Sequence, residues 1–108
     1  MGIFLGNMVI ANGESASTVI GTRQLRTIKS LAIHGPAAVT GTITLQSADD
    51  LALGSYTPVQ SGGSDITVTA AKVVVVTDVP MSTIRLLSGS SEGAERTFPV
   101  FGEEKAHV

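Results

Sequence analysis

Any chemistry this chain performs must come from two histidines, nine acidic residues and many hydroxyls, because it has no cysteine. His34 closes an apolar run just before Gly35-Pro36. A general base needs an orienting partner, and a zinc ligand needs further donors at ligand spacing. No such group stands beside His34, so it reads as a strand-end side chain facing water. His107 lies in the polar C-terminal stretch. Gly13-Glu14-Ser15-Ala16-Ser17 approaches a nucleophile elbow, but its fifth residue is Ser and no helical pattern follows. A serine without a base is only a hydroxyl. Gly62-Gly63 and Gly89 are not followed by Lys-Ser/Thr at the start of a helix, so no phosphate loop is expected. Asp49-Asp50, with Asp65 or Asp78, would offer oxygens to calcium. Calcium loops alternate their ligands, however, whereas adjacent carboxylates diverge, and the pair reads as an Asx turn. The expectation is a protein with no catalytic group, no cofactor and no metal.

Binding chemistry has better material. Arg85 interrupts the apolar run Ile84-Arg85-Leu86-Leu87. A charge there must be paired or must reach water. The first expectation is an ion pair with an acid on a neighbouring strand, the second a contact to a partner's carboxylate. Tyr56 is the one aromatic near a loop, while Phe98 and Phe101 read as core or edge residues. A sugar platform needs more exposed aromatic faces, so a carbohydrate-binding adhesion module is kept only as an alternative. At the N-terminus Ile3, Phe4, Leu5, Met8, Val9 and Ile10 crowd into ten positions, broken by Gly6-Asn7. Residues 1–12 are therefore either an arm that pairs with a neighbour by strand addition or an ordinary first strand. Ile3, Phe4, Leu5, Met8 and Val9, with Arg85, are the candidate protein–protein interface residues.

The elements that would position these groups are strands. At 108 residues the chain is one domain, and its 43% hydrophobic content is almost all Val, Ile, Leu and Ala. β-Branched side chains suit a pleated surface. Charged residues make up 15%, against roughly 25% in an average soluble domain. The seven basic residues are scattered, which argues against nucleic acid as partner. So sparsely charged a surface suits a subunit packed against others. No apolar run reaches the roughly 20 residues that span a bilayer. The apolar start lacks a basic leader region and is not expected to act as a secretory signal.

Turn signals recur about every dozen residues, and no helix-period pattern lasts more than a turn or two. Strands are expected over 3–10, 15–20, 26–34, 39–47, 55–59, 66–69, 72–77, 82–87 and 96–101. Val39, Gly41, Ile43 and Leu45 face one way, Thr40, Thr42, Thr44 and Gln46 the other. The four valines Val73–Val76 suggest a strand covered on both sides or placed at a subunit contact. Ser47–Asp50 and Asp78–Pro80 read as turns, and Ser88–Gly93 as a flexible loop. The pattern predicts an all-β, antiparallel two-sheet sandwich, jelly-roll-like, of 8–9 short strands. It would occupy residues 13–101 and be followed by a flexible tail, 102–108.

Five spans carry a likeness: 13–20 (GESASTVI), 41–50 (GTITLQSADD), 56–59 (YTPV), 79–90 (VPMSTIRLLSGS) and 96–98 (RTF). In this order they resemble small β-sandwich virion proteins of tailed bacteriophages. The Ile-Arg-Leu strand is similar to that of discoidin-type jelly rolls. The resemblance implies a non-enzymatic structural virion protein, of the capsid decoration or cement type, made in the host cytoplasm and residing on the capsid surface. Its implied partners are the major capsid protein or other virion proteins. A homo-oligomer is expected, with a trimer ahead of a dimer. The alternative within the same fold is a neck, tail or baseplate component.

Overall fold

Alternation decides most of the strands. The computed structural model describes residues 2–48, 55–77, 79 and 82–105. Its strands are β1 (Gly2–Ile10), β2 (Ile28–His34), β3 (Ile43–Ala48), β4 (Tyr56–Pro58), β5 (Gln60–Ser61), β6 (Ser64–Asp65), β7 (Thr67–Val68), β8 (Val73–Val76), β9 (Ile84–Ser88) and β10 (Arg96–Glu104). One short helix, α1 (Thr22–Leu25), joins the early part of the chain to β2. Every second residue of the longer strands is buried: Met8 and Ile10, Leu31 and Ile33, Ile43 and Leu45, Ile84 and Leu86, Phe98 and Val100. These side chains form one core between two antiparallel sheets.

Sheet I has the order β1-β10-β2-β8. In sheet II, β3 is central, with β9 on one side and β4 and β7 sharing the other. Residues 15–20 run along the far side of β9: Ser17 N–H donates to Leu86 O at 2.9 Å, and Ile20 and Ile84 exchange both main-chain bonds at 3.0 Å. The chain therefore pairs as a folded hairpin. First strand meets last (β1 with β10), residues 15–20 meet β9, β2 meets β8, and β3 meets β7. That winding is a jelly roll. The fifth strand position is split into β4 and β7 by the β5–β6 hairpin, whose Gly62 and Gly63 both have positive φ.

The differences from expectation are local. The N-terminal segment is a strand of its own sandwich, paired with β10 from Gly2 to Ile10. The last strand continues to Glu104, so Gly102–Glu104 are sheet and not tail. Lys105 N–H still donates to Thr27 O at 2.9 Å. β8 is an edge strand covered on one face: Val76 is buried, whereas Val73 and Val75 are 51% and 63% exposed. Ile28, out of phase in the sequence, reaches the core because a register shift between Glu103 and Glu104 resets the alternation. Residues Asp49, Asp50, Asp78, Pro80 and His107, with the turns and calcium reading attached to them, lie outside the described residues.

Candidate docking face

A strict period of two along β1 would carry Phe4 to the same inner face as Met8 and Ile10. It does not, because the β1–β10 register shifts between Phe4 and Gly6. Gly6 has φ +136°, a conformation that side chains with a Cβ rarely adopt. This bulge inverts the phase of everything before it. Leu5 turns inward over Gly102, where a Cβ would lie 2.8 Å from Leu5 Cδ1 and 3.1 Å from Ile28 Cγ2. Phe4 turns outward and is 57% exposed.

On the outside Phe4 meets a row of apolar neighbours. It lies opposite Phe101 of β10, Phe101 opposite Ala32 of β2, and Ala32 opposite Val75 of β8. The row crosses all four strands of sheet I. The Phe4 and Phe101 rings are 5.3 Å apart and tilted at 56°. His34 presents its ring edge-on to Phe101, also at 5.3 Å, and Val73 stands opposite His34. A shallow hollow of about 170 Å³ opens between Ala32, Val75, Phe101 and Gly102. Beyond it the face becomes polar, with Lys29 Nζ 3.1 Å from Glu103 Oε1 and both side chains largely in water. An apolar centre with a charged rim is the anatomy of a protein interface.

The interface residues expected from the sequence divide. Phe4 belongs to the row, and Ile3 beside it is exposed. Leu5 points inward and is half-buried against the core, and Met8 is fully buried and has no surface to offer. Val9 is half-buried, and its main chain is already taken by Thr18. Arg85 is on the other sheet. Its Nε donates to Gln46 Oε1 at 2.9 Å, and its guanidinium carbon stands 3.9 Å above the Tyr56 ring. The expected acidic partner is replaced by an amide and an aromatic face. That contact also occupies one face of the ring considered for sugar stacking. Phe101, read as a core or edge residue, joins Phe4 on the outer face, and Val73 and Val75 of the valine run are exposed beside it. In the last strand, alternation from Phe98 and Val100 places Phe101 outside, and the valine run shows its outer half once β8 is known to be an edge.

The loop expected to be flexible contains a buried carboxylate with a donor for every bond it makes. Glu92 is buried among four donors: Thr40 N–H at 2.8 Å and Arg96 Nε–H at 2.9 Å on Oε1, Gly41 N–H at 3.0 Å and Ser88 Oγ–H at 2.6 Å on Oε2. Burial alone would raise its pKa. The bonds from Ser88, Thr40, Gly41 and Arg96 outweigh it and lower the carboxyl from 4.5 to about 2. Glu92 main chain also bonds Gly13 and Glu14, so this one residue ties three loops together beside the sandwich. Its signal in the sequence was faint: an acid four residues before Arg96 in a Ser/Gly stretch. Comparison with family models, curated proteins and solved structures finds no match.

Proposed function

We infer that the chain is a non-enzymatic structural subunit whose copies associate through the outer face of sheet I. The observation that carries this is the outward-facing row Phe4–Phe101–Ala32–Val75, in which the bulge at Gly6 turns Phe4 outward as it carries Leu5 onto the core. An apolar row that crosses all four strands of a sheet and reaches solvent favours a protein partner. The setting we propose is the surface of a tailed-phage capsid, in the role of a decoration or cement protein bound to the major capsid protein. It rests on the likeness of the GTITLQSADD, YTPV and VPMSTIRLLSGS spans to such virion proteins. A homo-oligomer, trimer ahead of dimer, would sit over neighbouring capsid subunits and convert several modest contacts into firm attachment.

Cosedimentation of the purified chain with particles that lack it tests the capsid role. Saturation at a copy number proportional to the major capsid protein is the expected result. Binding limited to a handful of copies per particle would overturn the cement role and favour a neck, tail or baseplate position.

A further inference from the structure

The two outer edges of sheet I are finished differently. Along β1 several main-chain groups are occupied by residues outside the sheet. Val9 N–H donates to Thr18 Oγ1, Thr18 N–H donates to Val9 O, and Gln24 Nε2 donates to Leu5 O, each at 2.9 Å. At the opposite edge β8 pairs only with β2 among the described residues. Gly35 N–H donates to Lys72 O at 2.8 Å. In an antiparallel ladder hydrogen-bonded pairs alternate with non-bonded ones, so Ile33–Val74 and Leu31–Val76 are the bonded pairs. Val73 and Val75 therefore turn their N–H and C=O groups to the open side. Edge strands are commonly blunted by a Lys, a Pro or a bulge, and Val73–Val76 has none of these.

A groove of about 340 Å³ runs beside this edge. One wall is Val74–Thr77, and the other is the β5–β6 hairpin with Thr67. A strand within a sheet fills about 4.8 by 10 by 3.3 Å per residue, or about 160 Å³. The groove is thus on the scale of a short stretch of a single extended chain. Among the described residues Asp65 is the one charged side chain in its lining, exposed to solvent and bonded by Gln60 Nε2 at 2.9 Å.

We propose that β8 receives an extended segment of another polypeptide by strand addition, with a basic residue of that segment facing Asp65. Val73 and Val75 supply the main-chain bonds, and the hairpin holds the segment from the other side. The site uses backbone groups at the edge, whereas the apolar row uses side chains on the sheet face, and Val75 contributes its backbone to the one and its side chain to the other.

The test is an NMR titration of labelled protein with the capped peptide Thr-Val-Thr-Lys-Thr-Val-Thr. Before peptide is added, the Val73 and Val75 amides should exchange with solvent quickly, and those of Val74 and Val76 slowly. Millimolar peptide should give saturable shifts at Val73, Val75, Thr77 and the hairpin, and should slow exchange at the two outward amides. A Glu in place of the peptide's Lys should bind several-fold more weakly, and a peptide N-methylated at both valines should not bind. Val75→Pro removes only an N–H that β2 does not use, so it should melt within a few degrees of the parent and lose the peptide. Val75→Thr should keep it, as should Phe101→Ser, which alters the apolar row. Absence of saturable shifts, shifts confined to another surface, binding of the N-methylated peptide, or undiminished binding by Val75→Pro would each overturn the proposal.

Discussion

Replacing Glu92 by Gln leaves the shape of the side chain almost unchanged and removes the one feature its surroundings require. Each carboxylate oxygen accepts from two donors, Thr40 N–H and Arg96 Nε–H on one side, Gly41 N–H and Ser88 Oγ–H on the other. An amide offers a single oxygen, so two of the four donors face an NH2 group whichever way it is turned. Arg96, with its side chain mostly out of water, also loses its counter-charge. Each pKa unit corresponds to about 1.4 kcal/mol, so a carboxyl lowered from 4.5 to about 2 contributes about 3 kcal/mol of stability at neutral pH. Breaking a buried pair by removing one partner falls in the range of about 3–5 kcal/mol, which agrees. In a domain of this size the loss amounts to a fall in Tm of roughly 10–25 °C. The pH dependence has a definite sign. A carboxyl whose folded pKa is depressed stabilises fully above its unfolded value, and that stability fades as pH falls from 4.5 towards 2. Urea denaturation of both proteins between pH 7 and pH 2 is the assay. The gap between them should be widest at neutral pH and shrink by most of about 3 kcal/mol across the acid window. A Glu92→Gln protein within about 1 kcal/mol of the parent at pH 7, or a gap independent of pH, would refute the reasoning.

Two further outcomes follow from the same coordinates. In Gly41→Ala the new Cβ would lie 2.5 Å from Ser88 Oγ and 2.8 Å from Ser90 N, close enough to displace the Glu92 cluster. A loss of about 1–3 kcal/mol in denaturant titration is expected. Deleting residues 2–10 removes the partner of β10 and the buried Met8 and Ile10, so circular dichroism should show no cooperative transition near the parent's Tm; near-normal melting would show the strand to be dispensable.

Much of this architecture can be read from period-two alternation. Ile43 and Leu45, Ile84 and Leu86, and Phe98 with Val100 announce their faces without help, and so do the end of β2 before Gly35-Pro36 and the turn at Gly62-Gly63. What alternation hides is any place where it is reset. The bulge at Gly6 converts Phe4 from a core residue into a surface one, and a linear pattern contains nothing that tells a bulge glycine from a turn glycine. The shift opposite Ile28 is of the same kind. Glu92 was illegible for another reason: its four donors come from segments more than fifty residues away as well as from its own loop, and only the fold brings Thr40 and Gly41 to it. Arg85 was legible as a charge needing a partner, but the register that sets it opposite Gln46, with Tyr56 across β3, depends on which strands are neighbours. Val73–Val76 reads as a strand covered on both sides or placed at a subunit contact, and the first of these does not hold, since Val73 and Val75 are exposed. Whether both halves of such a run are covered depends on strand order, and β8 proved to be an edge.

The docking face itself is tested most directly by sedimentation velocity on the purified chain and on the double variant Phe4→Ser/Phe101→Ser, both over a wide concentration range. Neither ring is part of the fully buried core, so the variant should keep its cooperative melting. The parent should sediment as a small multiple of 11.0 kDa, a trimer ahead of a dimer, and the variant at 11.0 kDa. A parent that stays at 11.0 kDa at the highest concentration, or a folded variant that assembles as the parent does, would contradict the assignment of this face.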